Sequence, residues 1–136
     1  MPMSKSFSFK VQTREHTAMI DITKEINNII KQSNIKNGIC IVFIPHTTAA
    51  LTINENADPD VERDILMKLN KIVPLSDGYH HFEGNSAAHI KASMMGFSET
   101  IIIEDGSLVL GTWQGIYFTE FDGPRTRKAY VKIIEG

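Results

Sequence analysis

An α+β fold, with a mostly antiparallel, β-sandwich-like core and about three helices, is what this 136-residue sequence predicts. Segments such as Ser6 to Thr13 and Leu51 to Glu55 alternate apolar and polar residues with the period of a half-buried strand. Turn signals such as Asp105-Gly106 and Asp122-Gly123-Pro124 join successive strands tightly, which favours antiparallel pairing. Only three segments carry a helical period, too few for a doubly wound sheet.

Taken in order, Ser6 to Thr13 places Phe7, Phe9 and Val11 on one side, and Thr17 to Ile22 reads as a second strand. Thr23 is expected to cap a helix running to about Ser33, with Ile26, Ile29 and Ile30 on one face. Gly38 to Pro45 is an unbroken apolar run, expected to be a central strand covered on both faces. Leu51 to Glu55 alternates again. Asp58-Pro59 starts a second helix, whose stripe is Val61, Ile65, Leu69 and Ile72, and Pro74 closes it. A long loop, Pro74 to Asn85, carries His80 and His81; loops of this length in a small domain are usually functional or mobile. Ser86 is expected to cap a third helix ending at Gly96. Thr100 to Glu104, Leu108 to Gly111, Trp113 to Phe121 and Arg127 to Ile134 complete the strands.

Length and composition fit one domain over residues 1–136, with 42% hydrophobic and 22% charged residues. A formal net charge of -2 lacks the basic surplus of a protein that grips nucleic acid. No apolar run reaches membrane-spanning length and no apolar signal core follows Met1, so no membrane partner and a cytoplasmic location are expected. Cys40, the one cysteine, lies within Ile39-Cys40-Ile41-Val42 and reads as a small buried hydrophobe. No GxGxxG or Walker-type loop is present.

The chemistry-bearing residues are histidines, carboxylates and arginines. His46 ends the apolar strand, where a rigid element would fix its position, though a histidine bonded to its own turn fits equally well. Helical spacing puts Ala87, Ile90 and Met94 on one face and Asn85, His89 and Ser93 on the other, so His89 is not expected in the core. Loop residues His80 and His81 can reach back toward His89. Three histidines from a strand end, a loop and a helix match an open metal site that keeps a position for water or substrate. Glu120 and Asp122, two apart along a strand, share a face at roughly 7 Å; they suit magnesium on a pyrophosphate or acid–base work, and equally a solvated strand end with a capping aspartate at the following turn. Arg125 and Arg127 could clamp a phosphate or pair with those carboxylates. Glu55 follows on the strand after His46, and Trp113 offers a stacking surface or a piece of core.

Several blocks occur together: His46-Thr47-Thr48-Ala49-Ala50-Leu51, Asn54-Glu55-Asn56-Ala57-Asp58-Pro59, Glu83-Gly84-Asn85, Ala88-His89-Ile90-Lys91, Leu110-Gly111-Thr112-Trp113-Gln114 and Glu120-Phe121-Asp122-Gly123-Pro124-Arg125. In this order they resemble the YjbQ family, over nearly the whole chain. The resemblance implies an α+β sandwich, a homotrimer and a metal site of histidines, which by position are His46, His81 and His89. It further implies secondary thiamine-phosphate synthase activity, joining a hydroxymethylpyrimidine diphosphate to a thiazole phosphate. The expected cofactor is a divalent metal, zinc first and magnesium second, and the expected partner a small phosphorylated molecule. Catalytic roles would fall to Glu55, Glu120 and Asp122, and substrate binding to Asn85, Trp113, Arg125 and Arg127. A non-catalytic metal- or ligand-binding trimer is the alternative.

Overall fold

Alternation in the C-terminal strand organises the larger sheet. Along β8 (Thr126–Glu135), Arg127, Ala129, Val131 and Ile133 point inward while Lys128, Tyr130 and Lys132 face out. The computed structural model describes residues 2–136 and places β8 between two antiparallel neighbours, β1 (Ser4–Gln12) and β3 (Gly38–Phe43). Beyond β3 lie β5 (Ser98–Glu104) and the short β6 (Ser107–Leu108), giving five strands in the order β1-β8-β3-β5-β6. The β5–β6 turn uses Asp105 at φ 51° and Gly106 at φ 77°, the left-handed pair an Asp-Gly hairpin requires.

A second antiparallel sheet holds β7 (Gln114–Glu120) between β2 (Ala18–Asp21) and β4 (Ala49–Glu55). The inner faces of both sheets meet in one apolar cluster, with Cys40, Val42, Val131 and Ile133 from one and Leu51, Ile116 and Phe118 from the other. Helix α1 (Thr23–Ser33) adds Ile26, Ile29 and Ile30 to that cluster. Helices α2 (Pro59–Ile72) and α3 (Ser86–Met95) lie on the smaller sheet's other side. There Leu69, Ala88 and Ala92 pack with Ala50 and Phe121, and Tyr117 donates its hydroxyl to Glu62 at 2.6 Å. Among the described residues there are three helices and eight strands, so the α+β expectation holds. Among the described residues no helix is long and apolar enough to cross a membrane.

Five local expectations need correction. Strand β3 is central but covered on one face only: Cys40 and Val42 are buried, whereas Ile39 is 36% and Phe43 41% exposed. Thr23 is the first helical residue rather than the cap of α1; the Asp21 carboxylate accepts its backbone N–H at 2.9 Å and its hydroxyl at 2.6 Å. Asn85, not Ser86, occupies the capping position of α3. That helix buries Ala87, Ala88, Lys91 and Ala92 and leaves Ile90 and Met94 exposed, because only small side chains permit its close approach to β4. The expected strand at Leu108 to Gly111 shrinks to Ser107–Leu108. Asp58 does cap α2, accepting the N–H of Asp60 at 2.9 Å.

Candidate functional site

Three separate segments build one cleft of about 420 Å³. Its walls carry His46, Thr47 and Thr48 from the β3–β4 connection, and His81, Glu83, Asn85 and His89 from the long loop and α3. Arg125, just before β8, and Arg127, within it, complete it. The β3–β4 connection is held from two sides. Ile44 donates its backbone N–H to Phe97 at 2.8 Å, and the Thr48 carbonyl accepts from Phe121 at 3.2 Å. His46 therefore extends from the continuation of a core strand rather than from a free loop.

The ring of His46 is fixed as well. Its Nε2 accepts the backbone N–H of Lys128 at 2.9 Å. A neutral imidazole has one lone pair, so this bond leaves the proton on Nδ1. Burial, helped by the positive charge of Arg127, holds the His46 imidazole below the ordinary histidine value. His81 and His89 meet edge to face with ring centroids 5.3 Å apart. Two imidazoles suit a borderline cation such as zinc and leave positions open. His46 could join them only by releasing Lys128, and among the described residues no three His, Cys, Asp or Glu side chains gather closely enough to hold an ion. Of the three expected ligands, His81 and His89 lie together and His46 is bonded elsewhere.

The carboxylates separate into two environments. Glu120, the last residue of β7, is 0% exposed and pairs with Arg127, whose Nε reaches Oε1 at 2.8 Å and whose Nη2 contacts Oε2. Glu120 also accepts the Thr13 hydroxyl at 2.8 Å and the Asp122 N–H at 2.9 Å. Burial pushes its carboxyl up, but these bonds from Arg127, Asp122 and Thr13 outweigh it and hold the group below the usual carboxylate range. Asp122 lies in the following turn, not on the strand, and accepts Nδ2 of Asn85 and Nη2 of Arg125, each at 2.9 Å. For Asp122 too, burial is overcome by hydrogen bonds, from Asn85 and Arg125, and the pKa is lowered. The arginines therefore pair with the carboxylates, one each, while still lining the cleft.

Glu55 and Trp113 do not line the cleft. Glu55 ends β4, where its carbonyl accepts from Tyr117 at 3.1 Å, and Trp113 is 62% exposed just before β7. Sequence reasoning passed over Thr47, Thr48 and Glu83, although all three lie inside the conspicuous blocks. It also missed Lys91, which a helical wheel built on Ile90 and Met94 turns away from the protein. Behind Asn85 is a second, smaller cavity of about 230 Å³, walled in part by Lys91, Phe121 and Asp122.

A family model described as UPF0047 protein YjbQ-like matches residues 7–136. Among curated proteins, UPF0047 protein MJ1081 of Methanocaldococcus jannaschii is 52% identical over 128 residues, covering 94% of this chain and 93% of its own. UPF0047 protein YugU of Bacillus subtilis is 48% identical over 128 residues, covering 93% and 97%. A crystal structure of an uncharacterized conserved protein of the YjbQ/UPF0047 family from Clostridium acetobutylicum superposes with a TM-score of 0.92 at 57% identity, over 93% of this chain and 98% of that one. A protein of unknown function, SSO2532 from Sulfolobus solfataricus, gives a TM-score of 0.95 at 34% identity, with both chains covered fully at 100%.

Proposed function

The chain belongs to the YjbQ-like UPF0047 family, and from that premise we propose a metal-dependent transferase acting on a small phosphorylated heterocycle. The reaction in view joins a hydroxymethylpyrimidine diphosphate to a thiazole phosphate. The thiazole nitrogen forms a bond to the methylene carbon as the carbon–oxygen bond to the diphosphate breaks, and pyrophosphate leaves with the electron pair. One observation carries the reading: His46, His81, His89, Asn85, Arg125 and Arg127, drawn from distant segments, line a single cleft.

The roles follow from the donors each side chain presents. Nδ1–H of His46 is a neutral hydrogen-bond donor for a phosphate oxygen. The guanidinium of Arg125, half exposed beside its partner Asp122, supplies charge where the leaving group gathers it. Arg127 is committed to Glu120 and to Thr48, whose hydroxyl it meets at 2.8 Å, so it fixes the cleft wall and adds a positive field. His81 and His89 would hold the divalent ion, zinc first and magnesium second, which when bound supplies Lewis-acid stabilisation of the departing diphosphate.

Pyrophosphate release from the two precursors, with zinc, magnesium or chelator, tests this directly. Metal-dependent release that falls more than about tenfold in His89→Ala is expected. No turnover under any metal condition overturns the reaction.

A second reading, a non-catalytic ligand-binding homotrimer, draws on two features. Both arginines already carry a carboxylate. The outer face of the larger sheet exposes Ile39, Phe43, Ile102 and Tyr130, a surface suited to a second copy of the chain. Metal binding without turnover across phosphorylated heterocycles would favour it. Both readings place a homotrimer in the cytoplasm.

A further inference from the structure

Lys91 sits on the buried face of α3 with 4% of its surface exposed. Burying an ammonium is costly unless its charge and its donors are matched. Yet among the described residues Nζ makes one hydrogen bond, to Oδ1 of Asn70 at 2.6 Å, and enters no ion pair. An ammonium only donates, so Asn70 must turn its carbonyl oxygen to Lys91, which leaves its Nδ2 as a further donor beside it.

Asp122 lines the same cavity of about 230 Å³. Its Oδ2 accepts from Asn85 and from Arg125, each at 2.9 Å. Its Oδ1 accepts no hydrogen bond and is not sealed from solvent; Nε2 of His16 stands 3.8 Å away, on a ring that is 54% exposed. Lys91 and Asp122 therefore face one cavity without pairing with each other. Its other walls include Ala87, Phe121 and Leu75. An unneutralised ammonium, a carboxylate with one free oxygen and an apolar wall suit a small molecule that carries both charges. A simple anion would be opposed by Asp122, and a simple cation by Lys91.

We infer that this cavity binds a small zwitterionic amino acid, its carboxylate accepting from Lys91 and Asn70 and its ammonium donating to Oδ1 of Asp122. The side chain would lie against Phe121 and Leu75, so short aliphatic residues suit the volume. This ligand is distinct from the phosphorylated molecule assigned to the histidine cleft, and the inference does not depend on the transferase reading. Asp122 nevertheless holds Arg125 of that cleft through its other oxygen, so the two pockets share one carboxylate.

Calorimetry with L-alanine and L-valine tests the assignment. Each is compared with the acid that lacks its ammonium (propionate, 3-methylbutanoate) and the amine that lacks its carboxylate (ethylamine, isobutylamine). At least one amino acid should bind saturably, and about tenfold or more tightly than both of its single-charge analogues. Its amide shifts should centre on residues 70, 87–91, 121 and 122. Lys91→Met and Asp122→Asn, shown to be folded by thermal melts, should each weaken binding about tenfold or more. If a variant does not fold, the comparison with the analogues still decides. No binding of either amino acid, an analogue that binds as tightly as its parent, shifts confined to residues 46–48 and 81, or full-strength binding in folded Lys91→Met would overturn the inference.

Discussion

The backbone N–H of Lys128 meets Nε2 of His46 at 2.9 Å, so an imidazole that follows β3 is oriented by the main chain of β8. In metal-free protein, His46 is expected as the tautomer with its proton on Nδ1. Long-range proton–nitrogen NMR should show one protonated and one lone-pair nitrogen in that assignment. The opposite tautomer would mean that this bond does not form in solution.

Glu120 and Arg127 form a buried pair, and removing either partner leaves an uncompensated charge. Glu120→Gln and Arg127→Met should each lose about 3–5 kcal/mol by urea unfolding, with strong coupling in the double variant.

Acid should destabilise the protein through the same carboxylate. The folded pKa of Glu120 lies below its ordinary 4.5, so under mildly acidic conditions the unfolded chain binds more protons there. The contribution is fully present above pH 4.5 and is lost as pH falls through the folded value. Urea midpoints measured from pH 7 downward should fall less steeply in Glu120→Gln than in the parent.

Gly38 opens β3 at φ 153°, and a Cβ there would stand 2.0 Å from the Ile134 carbonyl oxygen. Gly38→Ala should cost about 2 kcal/mol or more and loosen the β3–β8 pairing, visible as faster amide exchange in both strands.

Burial pushes the Cys40 thiol up to about 12, and the residue is 0% exposed. Disulfide reagents at neutral pH should leave it untouched in native protein and modify it at once in denaturant. Rapid modification of the folded chain would contradict the packing around β3.

The elements were legible where local chemistry decides them. Asp105-Gly106 needs two left-handed residues and finds them, and Asp58-Pro59 combines a capping carboxylate with a residue that needs no helical donor. Two misreadings share a physical cause. An apolar run such as β3 reports that a strand is greasy, not whether something within the same chain covers both faces. In α3, Ile90 and Met94 outweigh alanine on any hydrophobic scale, yet close helix–sheet packing selects the alanines, and Lys91 rides inward with them. At the cleft, His46, His81 and His89 were conspicuous as residue types. The division between a fully buried Glu120 and a partly buried Asp122 was not, because it depends on where β7 ends.

His81 has a different footing from its neighbours. His46 is bonded to a strand and His89 belongs to a helix, but His81 hangs from a segment braced by the Tyr79 hydroxyl on Pro74 at 2.6 Å and by Gly84 on its own carbonyl at 3.2 Å. Two walls of the cleft are thus cast with the scaffold, while the third rests on bonds internal to its own loop. Exchanging residues 76–84 between relatives is a route to altered ligand preference that leaves the foundations of the protein untouched.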